Sequence, residues 1–215
     1  LCANVAAADL LGNAKLPALY RIHEGPNQDK LDTLRDFLSE MGLYLGGGDK
    51  PTTGDYQTVL QQIAERPDRH SLQTQLIRSM MQAVYSPEKC GHFGLNFSKY
   101  THFTSPIRRY PDLLVHRAIR FLIHNRKSVS LKAHPEQKTL SRPDVYPYEF
   151  AELDRLGELC SSAERRADAA SYSVADWLKC EYMQNRVGDE FSGTITTVAS
   201  FGLFIELSDY FVEGL

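Results

Sequence analysis

YTHFTSPIRRYPDLLVHRAI, residues Tyr100–Ile119, decides the reading of this chain, because cationic, aromatic and turn-forming side chains are concentrated in it. Pro106 and Pro111 fix backbone angles on either side of Ile107, Arg108 and Arg109, so the paired guanidiniums are presented from a stiff segment. From Lys99 to Arg120 there are five Lys or Arg (Lys99, Arg108, Arg109, Arg117, Arg120) against one acid, Asp112. The formal net charge of the whole chain is -3, so this excess is local. Any polyanion partner must therefore use a patch rather than the general surface. The run has the character of a phosphate-handling site.

Outward from this run, the periodicity predicts a mainly helical α+β fold. Leu1 to Leu11 reads as a helix, Leu19 to His23 as a strand. Leu31, Leu34, Leu38 and Met41 recur at helical spacing, with Gly42 as the terminator. Tyr56 to Glu65 reads as a third helix. Leu72, Leu76, Met80 and Ala83 form the stripe of a fourth behind a Ser71 cap, which Pro87 stops. His92 to Thr104 alternates loosely and is assigned to strands. A helix is then expected from about Pro111 to His124, followed by a surface excursion over Arg126 to Pro147, which carries Pro135, Pro143 and Pro147. Beyond it, Leu156, Cys160, Ala163, Ala167, Ala170, Val174 and Trp177 define a narrow seam of mostly small residues on one long helix. From Val187 the composition changes to strand formers.

A chain of 215 residues, 42% hydrophobic and 24% charged, has ordinary soluble-globular composition and length for one sizeable core plus a smaller unit. No stretch approaches a membrane span and no signal-peptide pattern is present. Cys2, Cys90, Cys160 and Cys180 are scattered without C-x-x-C pairs, which points to reduced thiols and a cytoplasmic setting rather than zinc or disulfides. No initiator methionine opens the chain, and a helix is already under way at Leu1, so a piece of a longer protein is expected.

The Tyr100–Ile119 run resembles the signature of the ribonuclease II and ribonuclease R family. L-C-A-N-V-A-A-A-D, L-P-A-L-Y-R-I-H-E-G-P, G-H-F-G-L-N-F, S-S-A-E-R-R-A-D and V-A-D-W-L-K-C follow in the family's order. The resemblance implies residues 1–186 as the C-terminal portion of an RNB catalytic domain. Residues 187–215, with E-F-S-G-T-I-T-T-V, F-G-L-F-I-E-L and Y-F-V-E-G-L, resemble the first strands of the OB barrel named after ribosomal protein S-one. Gly193 fits a strand bend and Gly202 a close backbone approach. An OB barrel needs about five strands, so this one is expected to be incomplete. The implied activity is processive 3'-to-5' hydrolysis of single-stranded RNA to nucleoside 5'-monophosphates by two Mg2+ ions. The family's aspartate cluster is expected upstream, so this piece is expected to hold no metal and to be inactive alone. No membrane and no obligate protein partner are implied.

Within that resemblance, Arg108 falls on the last letter of T-S-P-I-R, where the family's arginine holds the scissile phosphate. A rigid guanidinium fork suits that task. Arg109 either touches phosphate or pairs with Asp112. Tyr100 and Phe103 beside Lys99 and Arg108 either fit the interleaving of rings and cations used in single-strand binding or form a core aromatic cluster, and Phe201 and Phe204 would face RNA on the barrel. His92 and His102 read as hydrogen-bonding groups around the RNA channel. Asp112, His116 and Arg120 share one stripe of their helix and read as a satisfied polar face rather than a metal or acid-base site. A different class of function, a non-catalytic RNA-binding or interaction module that keeps the fold, is separated from the enzyme by the intact T-S-P-I-R-R-Y run.

Overall fold

The computed structural model describes residues 1–125, 141–208, 210 and 212–215. Two compact units divide the chain, Leu1–Ser162 and Ala163–Leu215. The division falls inside one long helix, Phe150–Met183.

The first unit has two apolar cores. One is built on α1 (Cys2–Asn13), which buries Ala7, Ala8 and Leu11. Against it pack β1 (Tyr20–Ile22) and α5 (Tyr110–Asn125), the latter through Leu114, Val115, Ala118 and Leu122. The second core joins α2 (Gln28–Glu40), α3 (Thr53–Gln62) and α4 (Arg69–Ser79) through Leu31, Leu38, Val59, Ile63, Leu72 and Leu76. Local chemistry sets these boundaries. Asn27 caps α2 by accepting from the Lys30 N–H at 3.0 Å. At the other end Gly42, at φ 70°, lets the Leu43 N–H return to the Leu38 carbonyl at 2.8 Å. Thr52 and Asp55 form a reciprocal capping box on α3. The four expected helices before the Tyr100 run are present.

The fourth departs from the expected bounds. It begins at Arg69 rather than behind Ser71, and it ends at Ser79, where Met80 turns extended. The apolar period through Ala83 is broken because Val84–Ser86 forms β2, antiparallel to β1 with Arg21 opposite Tyr85. The sheet claims these residues through backbone hydrogen bonds that helical spacing does not reveal. His92 to Thr104 likewise forms no ladder. It holds only the isolated bridges His23 to His92 and His92 to Phe97, and a turn of 3-10 helix over Phe93–Leu95. Gly91 and Asn96, at φ 79° and 55°, bend it too sharply for a strand.

Of the expected surface excursion, residues 126–140, including Pro135, lie outside the described residues. Its end is core rather than surface. After the short helix α6 (Arg142–Val145), Tyr146 is fully buried and its hydroxyl donates to the Pro17 carbonyl at 2.9 Å. The long helix α7 (Phe150–Met183) buries Leu153, Gly157 and Ser161 instead of the predicted seam, most of which is exposed. Of the seam residues in this unit, Leu156 packs on the core and Cys160 is half-buried.

In the second unit β3 (Gly193–Ala199), β4 (Gly202–Leu207) and β5 (Glu213–Gly214) form an antiparallel three-stranded sheet in chain order. A bulge shifts the β3 to β4 register between Ile195 and Thr197. A Cβ on Gly193 would lie 2.5 Å from Ile205 Cγ2, so glycine is needed there for the strands to approach. Arg186 lies over the rings of Tyr182 and Tyr210, at 5.3 and 5.0 Å, and donates to both hydroxyls.

Candidate nucleic-acid interface

The arginine pair sits on the turn that enters α5. The Ser105 carbonyl accepts from the N–H groups of Arg108 and Arg109 at 3.3 and 3.0 Å, closing a turn over Pro106 and Ile107. Asp112, in the first turn of α5, is fully buried and its Oδ2 accepts from the Ser105 N–H at 2.8 Å and from Arg109 Nη2 at 2.9 Å. Arg108 projects from this turn exposed, its guanidinium with no ion pair or hydrogen bond among the described residues. The two arginines therefore differ in kind: Arg109 makes the Asp112 pair, one of the two alternatives left open by sequence, and Arg108 is available to a ligand.

Behind the turn lies a cluster of rings. Tyr100 is only 5% exposed: it stacks on Phe97, meets His92 and His102 edge-on, and accepts from Asn4 Nδ2 at 2.8 Å. Its faces are occupied by protein rather than open to solvent. His102 pairs through Nδ1 with the Tyr85 hydroxyl at 2.8 Å, and the Arg21 guanidinium covers the Tyr85 ring at 4.5 Å. Burial, then the charges of Arg109 and Arg21, push the His102 pKa down to about 4. His92 is likewise lowered to about 4, by burial first and then by His23 and Arg21. Both imidazoles are neutral hydrogen-bonding groups at pH 7. His116 donates from Nε2 to the Phe103 carbonyl at 2.9 Å and stacks on that ring.

Lys99 sits at the edge of the cluster, its Nζ 3.7 Å from Asp9 and its stem against Gly12. Arg117 is engaged by the Val145 carbonyl and the Tyr148 hydroxyl, and Arg120 is exposed. In the second unit Phe201 is 72% exposed and meets Phe204 edge-on at 6.2 Å. Phe201 lies in the turn between β3 and β4, and the half-buried Phe204 lies within β4.

Asn4 and Tyr85 join this cluster without being singled out by sequence pattern. Asn4 shares the stripe of Ala7, Ala8 and Leu11 on α1, and a lone polar residue on an apolar stripe was the available signal. Tyr85 carried none, since its role depends on a strand pairing. Among the described residues no group of three or more His, Cys, Asp or Glu could hold a metal ion. Asp112, the carboxylate nearest the arginine turn, is committed to Ser105 and Arg109. The described residues therefore do not fit the Mg2+ that the family resemblance implies. Among the described residues no helix is long and apolar enough to cross a membrane.

The RNB domain matches residues 1–125, and the chain belongs to the RNB domain family. It is 52% identical over 215 residues to Ribonuclease R of Vibrio parahaemolyticus, covering 100% of this chain and 25% of that protein. Mycoplasma genitalium RNase R, solved in complex with ribose methylated single-stranded RNA, superposes with a TM-score of 0.81 at 27% identity, over 100% of this chain and 32% of that one. Yeast Ssd1, described as a pseudonuclease, shares the fold with a TM-score of 0.72 at 21% identity, over 98% of this chain and 25% of that one. The chain thus spans about a quarter of the length of the curated relatives it matches.

Proposed function

We propose that this chain is part of a cytoplasmic hydrolytic exoribonuclease that shortens single-stranded RNA processively from its 3' end, releasing nucleoside 5'-monophosphates. Membership in the RNB family and likeness to Ribonuclease R support the reaction class. In this reading residues 1–186 are the C-terminal portion of the catalytic domain and 187–215 the first strands of an OB-type barrel, with Phe201 and Phe204 toward RNA. The Mg2+ ions of the reaction are held by ligands outside this chain.

The observation that carries the proposal is the Arg108 guanidinium, exposed and unpartnered among the described residues while that of its neighbour is locked at 2.9 Å by Asp112. Its fork donates to the phosphoryl oxygens of the scissile bond and offsets the charge that develops as the bond breaks. Tyr100 and His102 shape the wall behind it, and Lys99 adds positive potential at the edge. The test is Arg108→Ala in the full-length enzyme, read by single-turnover cleavage beside equilibrium RNA binding. Cleavage should fall roughly a hundred- to a thousand-fold, with binding little changed. Equal losses in both would remove the catalytic role.

A second reading is a non-catalytic RNA-binding module, favoured by the shared fold of a described pseudonuclease. It requires full-length protein that binds RNA without shortening it in Mg2+.

A further inference from the structure

The arginine turn is held from below by one buried carboxylate that touches no solvent. Asp112 is 0% exposed, and a single oxygen, Oδ2, accepts both from the Ser105 N–H and from Arg109 Nη2. These donors lie on opposite sides of Arg108: Ser105 opens the turn and Arg109 closes it. The Ser105 carbonyl completes the loop by accepting from the Arg108 and Arg109 N–H groups. The two residues that flank Arg108 in the turn, Ser105 and Arg109, are thus tied to one point on α5, and Pro106 and Pro111 remove freedom from the links between them.

Burial makes this arrangement selective. A charged carboxylate in the interior is retained only where hydrogen bonds and an opposite charge offset its desolvation. Asp112 has both, yet Oδ1 and Arg109 Nε are buried and without hydrogen-bond partners among the described residues. The pair is therefore joined by one hydrogen bond where a side-on guanidinium could make two, so stability alone does not account for its geometry. What the observed bonds do is fix where the turn stands.

We infer that Asp112 is a positioning residue for Arg108, acting through Ser105 and Arg109 to hold the Arg108 guanidinium where the scissile phosphate is bound. This rests on the reading of Arg108 given above. Asp112 touches neither substrate nor metal in this assignment. Its effect on rate passes entirely through Arg108, and this separates it from a general structural role.

The experiment is a double-mutant cycle in the full-length enzyme with Asp112→Asn and Arg108→Ala, read by single-turnover cleavage of a labelled single-stranded RNA, equilibrium binding and thermal unfolding. Asp112→Asn keeps size and an acceptor but loses the charge that holds Arg109. Alone it should slow cleavage roughly ten- to a hundred-fold with binding little changed, as misplacement of a catalytic group does. In the Arg108→Ala background it should add no further loss. Arg109→Lys, which keeps a cation beside the buried carboxylate, is the companion should Asp112→Asn fold poorly, and its loss should also vanish without Arg108. Losses that multiply in the double variant would overturn the positioning role while leaving that of Arg108 intact. An Arg108→Ala enzyme that cleaves at the wild-type rate would instead remove the reading beneath it.

Discussion

Tyr85 and Ser161, 76 residues apart, are joined by a buried hydrogen bond of 2.9 Å from the Tyr85 N–H to the Ser161 hydroxyl oxygen. Ser161 in turn donates to the Gly157 carbonyl at 2.8 Å, so α7 closes the free edge of β2 with a side chain. The contact needs Gly157, since a Cβ there would lie 2.5 Å from the Tyr85 carbonyl oxygen. Gly157→Ala should therefore destabilise the first unit by about 1–3 kcal/mol, the usual cost of overpacking. Urea unfolding measures it; an unchanged midpoint would mean that α7 does not bear on the sheet in this way.

Asn4 makes a second long-range tie. Its Nδ2 donates to the Tyr100 hydroxyl at 2.8 Å and its Oδ1 accepts from the Phe103 N–H at 3.1 Å, holding the segment that leads into the arginine turn. Asn4→Leu leaves the buried Tyr100 hydroxyl and the part-buried Phe103 N–H without that partner, and should cost about 1–3 kcal/mol. Protection of the Phe103 amide against hydrogen exchange should fall more than that of the α2 to α4 core. Uniform loss across both cores would point to general destabilisation instead.

The lowered histidines fix the direction of a pH effect. Between about 4, where His92 and His102 titrate in the folded chain, and the usual value near 6.5, the unfolded chain binds more protons. Stability is therefore full above the usual value and is lost as pH falls from there toward about 4, with no further loss from these groups below. The melting temperature should drop over that window, and His102→Gln, which keeps an acceptor for Tyr85, should flatten the drop. A melting temperature level from pH 7 to 4.5 would show that neither ring is desolvated.

How much of this was legible follows from where each signal lives. Leu31, Leu34 and Leu38 face the core because helical spacing is a local property, and Gly42 ends α2 because its left-handed conformation is one too. β2 was hidden, since Val84–Ser86 is a strand only through its pairing with Tyr20–Ile22. The buried face of α7 was misplaced because Gly157 and Ser161 carry little or no apolar area and leave Leu153 as its one large apolar residue, and the small Gly157 matters by what it lets approach. At the site, T-S-P-I-R-R-Y announced the turn but not the division of labour within it. That division depends on the burial of Asp112, which resembles any helix-surface acid in sequence.

The donor set of the described residues makes a prediction about metal. With no group of three or more acids, histidines or cysteines placed to hold an ion, this 215-residue chain should release no mononucleotides from labelled single-stranded RNA in Mg2+. Steady release that survives repurification would place a metal site within the chain and contradict the proposal that the ligands lie elsewhere.

Arg108→Lys and Arg120→Ala, in the full-length enzyme, separate a catalytic guanidinium from a merely cationic surface. Both residues are exposed and both belong to the same local positive excess. A lysine at 108 restores the charge as a compact ammonium but not the planar fork, so it should recover little of the rate lost in Arg108→Ala, a loss equivalent to about 2.7–4 kcal/mol. Arg120→Ala should leave single-turnover cleavage within about twofold and weaken RNA binding only modestly, with a shallower salt dependence, as loss of a peripheral phosphate contact does. Measured side by side, the two variants should differ in which quantity moves: rate for Arg108→Lys, affinity for Arg120→Ala. Wild-type cleavage by Arg108→Lys would mean that charge alone suffices at the turn, and the fork would have no part in the reaction.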